Sequence, residues 1–535
     1  MSDDNKPDLM DWLGLRWEPD YSKTRWLGRC ITAVFALLVL FLVVPAVLEF
    51  FRAVTGLDSF ETEEAQSTAI RNTGLVLAAV IGVPFIVWRS IVAQKTVNVT
   101  EQGHITDRIN TAVQGLGAEK VVKLPGEDEK TVPNLEVRIG AIYALERIAQ
   151  DSDRDHVQIM EILCAYIRQN APAPAEDDWP ELEMRESEDD GPLEEDWDDR
   201  LEAFRTKQEE VKATLTCRTD IQTALTVIGR RSAEQRQIEA GARRGEKSTF
   251  PFDTPYPEYD EPEGDHHPGR VEAYKAELQN RKWTLRGYAR YRLDLRNTNL
   301  QGADLSGLEL RGAKLDGARL QGANLRQARL QGADLRWARL QGADLRDARL
   351  QGADLGRARV QGADLEAAWL QGAELWQAGL QGAVLRTARL QGVVLRAARL
   401  QGANLGQAGL QGADFRQTRL QGAELWQARL QEAELWQAGL QGAFLGEARL
   451  DAHTDLTEAT LRSAAVRSVD YTNIPQIAGH LADMFGDGSV KLPTGVDWPA
   501  HWPKHALGND FPAQWREWQA DPEGYTPPDP PDVAG

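Results

Sequence analysis

Cysteine is scarce in this sequence. The 535 residues include three cysteines, Cys30, Cys164 and Cys217, and no common spacing motif connects them. Disulfide frameworks and cysteine metal sites need cysteines in pairs or clusters at regular spacings. The sequence therefore supports neither a disulfide framework nor a CxxC-type metal site.

Catalytic motifs are also missing. The chain has no Walker motif, no GxGxxG after a predicted strand, no HExxH and no GxSxG. His266 and His267 are adjacent but have no further ligands nearby in the sequence, and a stable metal site needs about four. His501 and His505 lie beside Trp502, and most such histidines are structural. We expect no enzyme activity, no metal and no cofactor.

Charge is unevenly distributed along the chain. The net charge is -20, yet residues 293–450 hold 16 acidic and 20 basic residues, so the rest of the chain carries -24. Residues 171–202 alone hold 15 acidic residues against two basic ones. A run with so much charge of one sign and so little apolar surface is typical of disorder. We predict a disordered acidic linker over 171–210.

Long apolar runs occur twice, both near the amino terminus. Cys30 to Leu48 and Asn72 to Trp88 contain no charged residue, and a membrane-spanning helix needs about 20 apolar residues, with a lower limit near 17. These runs predict transmembrane helices over 30–48 and 72–88. The alternative is a signal peptide followed by a buried helix, but signal peptides have shorter apolar regions and an A-x-A-like cleavage site.

Basic residues favour one orientation of these two helices. Lysine and arginine are frequent before the first run and follow the second, whereas the connection between them is acidic. The positive-inside rule then places 1–29 in the cytoplasm, 49–71 outside it, and the long carboxy-terminal part in the cytoplasm. The predicted location is the inner membrane, with the bilayer as one binding partner.

Helical spacing of apolar residues dominates the region that follows. Residues 89–170 predict a stalk helix and an antiparallel helix pair, because apolar residues recur every three or four positions on both sides of the capping sequence DSDRD. Residues 211–245 predict a further helix that docks on this pair. A proline-rich, acidic linker over 246–292 leads to the next region.

A period of five residues governs the chain from Leu295 to Leu450. Every fifth residue is leucine, with Val360 and Phe415 as substitutes, and a small residue usually stands two positions earlier. A helix would scatter such residues around its axis, and a flat strand would alternate them between its faces. A chain that turns a corner every five residues points each leucine inward, so four sides close a square coil. Glycine at every tenth position is expected to relieve strain at corners.

The units GADLS, GANLR, GADLR and GADLG resemble the pentapeptide-repeat family. This resemblance implies a right-handed quadrilateral β-helix, which we place over 293–472. GAIYALERIA, DIQTALTVIGRR and HLADMFGDGSVKLP also resemble membrane-tethered bacterial members, for which the resemblance brings no known activity. The predicted fold class is α plus β-solenoid: two transmembrane helices, a small helical domain, the β-helix, and a helical or irregular cap and aromatic tail over 473–535.

Arginines on the outer surface of the predicted β-helix form the first candidate surface. They recur at every tenth residue, whereas the positions halfway between them are mainly acidic. Such a ladder binds nucleic acid or anionic lipid in some proteins, but neighbouring carboxylates favour a solvated surface here. Some family members are thought to mimic DNA and protect a topoisomerase, which fits this slightly basic region poorly. The candidate anionic-ligand ladder is Arg319, Arg329, Arg339, Arg349 and Arg359.

Aromatic residues form the second candidate surface. In the inferred register they point outward, and exposed aromatics are favoured at protein interfaces; stacking that merely stabilises the coils is the alternative. The candidate partner-binding residues are Trp376, Trp426, Trp436, Trp337, Trp369 and Phe444. The sequence thus predicts a membrane-anchored, non-catalytic scaffold for an unidentified protein partner. Nucleic-acid or topoisomerase binding and self-assembly as a homo-oligomer are the alternatives.

Overall fold

The computed structural model describes residues 37, 40, 41, 44–55, 62–123, 129–174, 179–182, 184, 185, 194, 196–241, 249–259 and 269–530. The chain divides into two compact units, Met1–Arg108 and Ile109–Gly535. Helix α1 spans Val44–Thr55, and helix α2 spans Glu63–Leu116. The later elements are β1 Glu119–Val122, β2 Lys130–Pro133, α3 Leu135–Asp151, α4 Asp153–Asn170, α5 Trp197–Thr214, α6 Thr219–Gly229, α7 Ala233–Glu239, α8 Arg270–Arg286, β3 Ala465–Val466, β4 Phe485–Gly486 and α9 Phe511–Ala520.

The two predicted transmembrane helices are wrong. Among the described residues, none of the helices combines the length and the apolar character that a membrane crossing requires. The second run, 72–88, is at the lower length limit and forms only one part of α2, which continues through charged and polar residues to Leu116. Most of the first run, 30–48, lies outside the described residues. The predicted inner-membrane location and the predicted contact with the bilayer depend on these helices, so they are wrong as well.

A small helical domain precedes the β-helix. Strands β1 and β2 form an antiparallel pair. Helices α3 and α4 meet at Ser152, and α6 packs on both. Ile142, Leu145, Leu163 and Leu225 are fully buried between these helices. The structure therefore has the helix pair and the docked third helix that the apolar spacing predicts.

A buried charged network ties this domain to the β-helix. His156 Nε2 lies 3.0 Å from Glu239 Oε1, and Arg231 forms an ion pair with the other oxygen of Glu239. Arg231 also donates a 2.8 Å hydrogen bond to the carbonyl of Glu309 in the first coil. Burial alone would raise the pKa of Glu239, but Arg231 and His156 hold it below its ordinary value. The helical domain thus covers the first edge of the solenoid, which would otherwise expose unpaired backbone groups.

The predicted quadrilateral β-helix is confirmed. From Asp294 onward, the middle residue of each five-residue unit pairs in parallel with the residue 20 positions later, as in Asp294 with Lys314. Twenty residues therefore make one coil of four sides. The leucines at every fifth position and the alanines two residues earlier are almost completely buried, so the coils are filled by side chains rather than open.

The pairing defines four walls, each a column of residues spaced 20 apart. Wall 1 begins at Asp294, wall 2 at Asn299, wall 3 at Asp304 and wall 4 at Glu309. Walls 1 and 3 are opposite each other, as are walls 2 and 4. Because the sequence repeats every ten residues, opposite walls carry similar residues.

The carboxy-terminal end of the solenoid differs from the prediction. After residue 450 the pairing step lengthens to 21, as in Glu434 with Asp455, because DAHTDL contains an extra residue. Pairing then continues past 472, since β3 pairs in parallel with β4. Within the cap region predicted over 473–535, Pro475–Gly479 and Leu481–Asp483 form two short 3-10 turns. Helix α9 packs on this last coil, where Phe511 and Trp518 are buried against Phe485.

Two arms from the preceding sequence lie on the β-helix. Arm 1 comprises 171–174, 179–182 and helix α5, and arm 2 comprises 249–259 and helix α8. Each arm ascends the coils as an extended segment and returns as a helix. Pro172 pairs with Thr298 in the first coil, and α5 descends from Gly402 to Gly302.

Arm 1 replaces part of the predicted disordered linker. Four of its apolar side chains are buried, those of Trp179, Trp197, Leu201 and Phe204. A few apolar residues among many acidic ones are therefore enough for the arm to dock. Their targets are glycines at 20-residue intervals. The glycines under arm 1 are Gly302, Gly322, Gly342, Gly362, Gly382 and Gly402, and those under arm 2 are Gly312, Gly332, Gly352, Gly372, Gly392 and Gly412.

The β-helix therefore has two kinds of corner. These two glycine columns form the covered corners. The open corners are the other two columns, which begin at Asn297 and Gly307. Residues at both kinds have positive φ, but the open corners accept many residue types. Their non-glycine residues after the first coil are Gln327, Trp337, Asp347, Arg357, Ala367, Gln377, Thr387, Ala397, Gln407, Gln417, Gln427, Gln437 and Glu447.

Both helices contact the covered corners with a seven-residue spacing. Leu215, Gln208 and Leu201 face Gly302, Gly342 and Gly382, and Leu285, Leu278 and Val271 face Gly332, Gly372 and Gly412. Seven helical residues rise about 10.5 Å, and two coils at strand spacing rise about 9.6 Å. One heptad of each helix thus matches two coils of the β-helix.

Candidate partner-binding surface

The predicted arginine ladder is split between two opposite walls. The parallel pairing places Arg319, Arg339 and Arg359 on wall 2 and Arg329 and Arg349 on wall 4. Residues ten positions apart look equivalent in the sequence repeat. They lie on opposite walls because one coil takes 20 residues. No single face of the β-helix presents all five arginines together.

Arm 1 occupies much of the arginine surface of wall 2. Arg319 is buried and donates a hydrogen bond to the carbonyl of Pro174. Arg359 Nη1 lies 3.1 Å from Glu181 Oε1. Two backbone hydrogen bonds, from Ala173 to Asn297 and from Asn299 to Ala171, fix the extended segment beside these arginines. Wall 2 therefore binds a segment of its own chain through the carbonyl of Pro174 and the carboxylate of Glu181.

Arm 2 brings cations to the acidic residues of wall 1. Lys282 and Arg286 contact Glu374 at 3.4 and 2.7 Å, and Lys275 contacts Glu434 at 3.0 Å. Burial holds the pKa of Lys282 below its ordinary value, although Glu374 acts in the opposite direction. The alternating charges of the repeat thus serve contacts within the chain.

Three residues form a stacked cluster at an open corner beside wall 1. The guanidinium carbon of Arg357 lies 4.7 Å from the ring centre of Trp337 and 5.0 Å from that of Trp376. Arg357 also donates a 2.9 Å hydrogen bond to Gln377. Trp337 is 56% exposed, although a guanidinium holds one face of its ring. We call Trp337, Arg357 and Trp376 the corner cluster.

The other predicted aromatics lie in different surroundings. Trp436 occupies the same corner column as the corner cluster and is half-buried. Trp369 on wall 4 and half-buried Trp426 lie on the opposite side of the β-helix. Phe444 stacks on Trp515 of α9 at 6.0 Å and contacts Phe511. The carboxy-terminal helix therefore packs against Phe444, which is half-buried.

A cleft of about 430 Å³ continues the surface of the corner cluster. It lies between α8 and wall 1, and Trp376 forms one edge. Its floor contains Val394, at a position where the neighbouring coils have Glu374 and Asp414. Trp283 of α8 is 70% exposed, one helical turn from Gln279, which lines the cleft. Sequence reasoning missed Trp283 because 246–292 was predicted to be a linker rather than a helix.

Comparison with known proteins identifies the repeat. Residues 294–332, 328–366, 368–407, 398–437 and 408–446 match the family model described as pentapeptide repeats, with eight copies. This region is therefore a pentapeptide-repeat region, for which the family implies a right-handed quadrilateral β-helix. No curated protein matches the chain.

Solved structures of pentapeptide-repeat proteins resemble parts of the chain. HetL, a pentapeptide repeat protein involved in heterocyst differentiation regulation from the cyanobacterium Nostoc sp. strain PCC 7120, is 29% identical, covering 36% of this chain and 83% of its own, with a TM-score of 0.19. Full-length QnrB1, a plasmid-mediated fluoroquinolone resistance protein, is 16% identical, covering 40% of this chain and 96% of its own, with a TM-score of 0.26.

Proposed function

We propose that this chain is a non-catalytic scaffold whose β-helix presents the corner cluster to a protein partner. The observation that carries this proposal is the exposure of Trp337 beside Arg357 and Trp376 on a rigid corner. Tryptophan and arginine dominate the energetics of protein interfaces. Stacking fixes their side chains before binding, so less conformational entropy is lost when a partner docks.

The adjoining cleft supports the same choice, because Trp376 is shared by the corner cluster and the cleft. A partner side chain that enters the cleft would meet Val393 and Val394 beside paired charges such as Lys282 with Glu374. This arrangement of an apolar centre with a polar border is typical of protein recognition sites.

The experiment is in-cell crosslinking and purification of the full-length protein, with its partners identified by mass spectrometry. We expect one protein to be recovered with the natural sequence and lost with Trp337→Ala/Trp376→Ala. The matched control is Trp426→Ala, which removes a half-buried tryptophan from the opposite side and should leave recovery unchanged.

Three results would contradict the proposal. Equal recovery with the double variant and with the control would show that the corner cluster is not the binding surface. Recovery of this chain alone, together with a dimer or larger species in light scattering, would favour self-assembly. Salt-dependent binding of duplex DNA, with no protein recovered, would favour the nucleic-acid alternative.

A further inference from the structure

Wall 4 carries an arginine–tryptophan–arginine stack formed by Arg349, Trp369 and Arg389. The guanidinium carbons of Arg349 and Arg389 lie 5.2 and 4.2 Å from the ring centre of Trp369, one coil below and one coil above it. Both arginines are exposed. Within the described residues, neither forms an ion pair, in contrast to Arg329 on the same wall, which pairs with Glu309.

Wall 2 shows what such a wall binds. Walls 2 and 4 are related by the ten-residue repeat, so they present arginines in equivalent positions. On wall 2, an extended segment of the chain lies beside the arginines, with Pro174 on Arg319 and Glu181 on Arg359. The molecule therefore contains one example of an acidic extended segment docked on an arginine wall.

We propose that Arg349, Trp369 and Arg389 form a docking site for an extended acidic segment of a protein partner. This site is separate from the corner cluster, which faces the opposite side of the β-helix, and it does not depend on the function proposed above. Stacking on Trp369 orients both guanidinium groups, so less entropy is lost when they bind carboxylates.

The geometry specifies the spacing of the acidic residues. Arg349 and Arg389 are two coils apart, which is about 9.6 Å along the axis at strand spacing. An extended chain advances about 10 Å in three residues. A segment with carboxylates at positions i and i+3 therefore reaches both arginines at once, and the residues between them lie against the edge of Trp369.

The test uses a peptide with the sequence of residues 174–185, PAEDDWPELEMR, which has acidic residues three positions apart at 178 and 181. Binding of the fluorescently labelled peptide to the full-length protein is measured by anisotropy at low and physiological salt. Arg349→Ala/Arg389→Ala is expected to weaken binding about tenfold, as two exposed charge pairs would. Arg349→Lys/Arg389→Lys keeps the charge, loses the stacking, and should fall between the two.

The matched control is Arg336→Ala/Arg346→Ala, which removes two arginines that already pair with Asp334 and Asp344. We expect less than a threefold change with this variant. Circular dichroism of each variant verifies that the β-helix remains folded. An equal loss with both alanine pairs would overturn the proposal, because net charge alone would then explain binding.

Three further results would also overturn it. Loss of binding with Arg359→Ala rather than the wall 4 variant would place the peptide on wall 2, in exchange with arm 1. Tighter binding of a DNA duplex that is lost with the wall 4 variant would assign the site to nucleic acid. Binding that appears only after the acidic residues of 260–268 are neutralised would make the chain its own occupant.

Discussion

The covered and open corners of the β-helix place their turn residues in the same backbone conformation. Gly312 has a φ of +64° and lies under arm 2, whereas Gln377 at an open corner has a φ of +55°. If strain at positive φ required glycine, the open corners would also be glycine. Apart from Gly307 and Gly317, they hold residues such as glutamine, tryptophan, alanine and threonine instead. The glycines of the covered corners are therefore needed mainly because the arms leave no space for a side chain.

Position 432 supports this conclusion within a single column. The arm 2 column has glycine from Gly312 to Gly412, where Val271 at the start of α8 makes contact. One coil further, beyond that end of α8, the residue is Glu432 with a φ of +56°. Glycine thus ends in this column where the helix contact ends.

The largest effect is expected when the arm side chain that packs on a covered corner is removed. Phe252 is buried and its ring faces both Gly312 and Gly332, so Phe252→Ala should weaken docking of arm 2 by about 3–5 kcal/mol. Native-state hydrogen exchange of the α8 amides measures this loss. Trp283→Ala is the control, because Trp283 is an exposed aromatic residue of the same arm. A comparable loss in both variants would contradict the assigned role of the covered corner.

A methyl group at a covered corner should have the next largest effect. In Gly312→Ala the new Cβ would lie 2.8 Å from the ring of Phe252, whereas in Gly307→Ala it would have no neighbour within 4 Å. Both substitutions add strain of about 1–2 kcal/mol at positive φ, but only Gly312→Ala should weaken docking of arm 2, by about 1–3 kcal/mol. The same exchange measurement compares the two.

The Phe252→Ala background then separates crowding from strain. With the ring removed, Gly312→Ala should reduce α8 protection no more than Gly307→Ala does, so the two substitutions should be non-additive. Additive losses would mean that the glycine acts through the backbone, and the distinction between the two corners would fail.

Cys217 provides a chemical measure of arm 1. Burial raises the pKa of its thiol to about 11, so the reactive thiolate is rare at neutral pH. In a variant with Cys30→Ser and Cys164→Ser, alkylation by iodoacetamide should accelerate about tenfold per pH unit between pH 8 and 10, whereas an ordinary thiol levels off above about pH 8.5. Gly302→Ala, which crowds Leu215 at 2.8 Å, should raise the rate at pH 8. A rate that levels off near pH 9 in the parent would contradict the raised pKa of the half-buried Cys217.

The smallest effect is expected at an open corner. Ala397 has a φ of +54°, and Ala397→Gly relieves that strain while adding freedom to the unfolded chain. The two effects oppose each other, so the free energy of unfolding should change by less than about 1 kcal/mol, and α8 protection should not change. A large change in α8 protection would mean that this corner also supports an arm.

The sequence predicts the β-helix well because its core obeys one simple rule. A leucine at every fifth position has no other regular solution, and each one is buried as expected. The arms were harder to predict, since Trp197 and Leu201 are isolated among acidic residues and bury their side chains only on a groove made by distant glycines. Composition alone therefore favoured disorder over 171–210. The apolar run at 72–88 led to a different error, a predicted transmembrane helix, because this run is only one part of the longer helix α2.

The candidate surfaces were predicted as residue types rather than as places. Trp337 and Trp376 were identified, but Arg357 between them was not, since its stacking joins residues one coil apart. Arg319 and Arg329 looked like neighbours in the repeat, although they lie on opposite walls. Phe444 gave no signal that a helix about 70 residues later would cover it. Each of these outcomes depends on contacts across coils, which a ten-residue pattern does not contain.

The match between one heptad of each arm and two coils limits how this gene can change in length. Near-identical repeats recombine readily, and each event adds or removes DNA encoding multiples of ten residues. A gain of 20 residues adds one coil of about 4.8 Å, which neither α5 nor α8 can match, because their contacts advance by two coils per heptad. A gain of 40 residues restores the contacts only if each helix also gains seven. The arms therefore limit which repeat numbers preserve the contacts. Chains of this type that differ in length should carry matching insertions in the β-helix, in α5 and in α8.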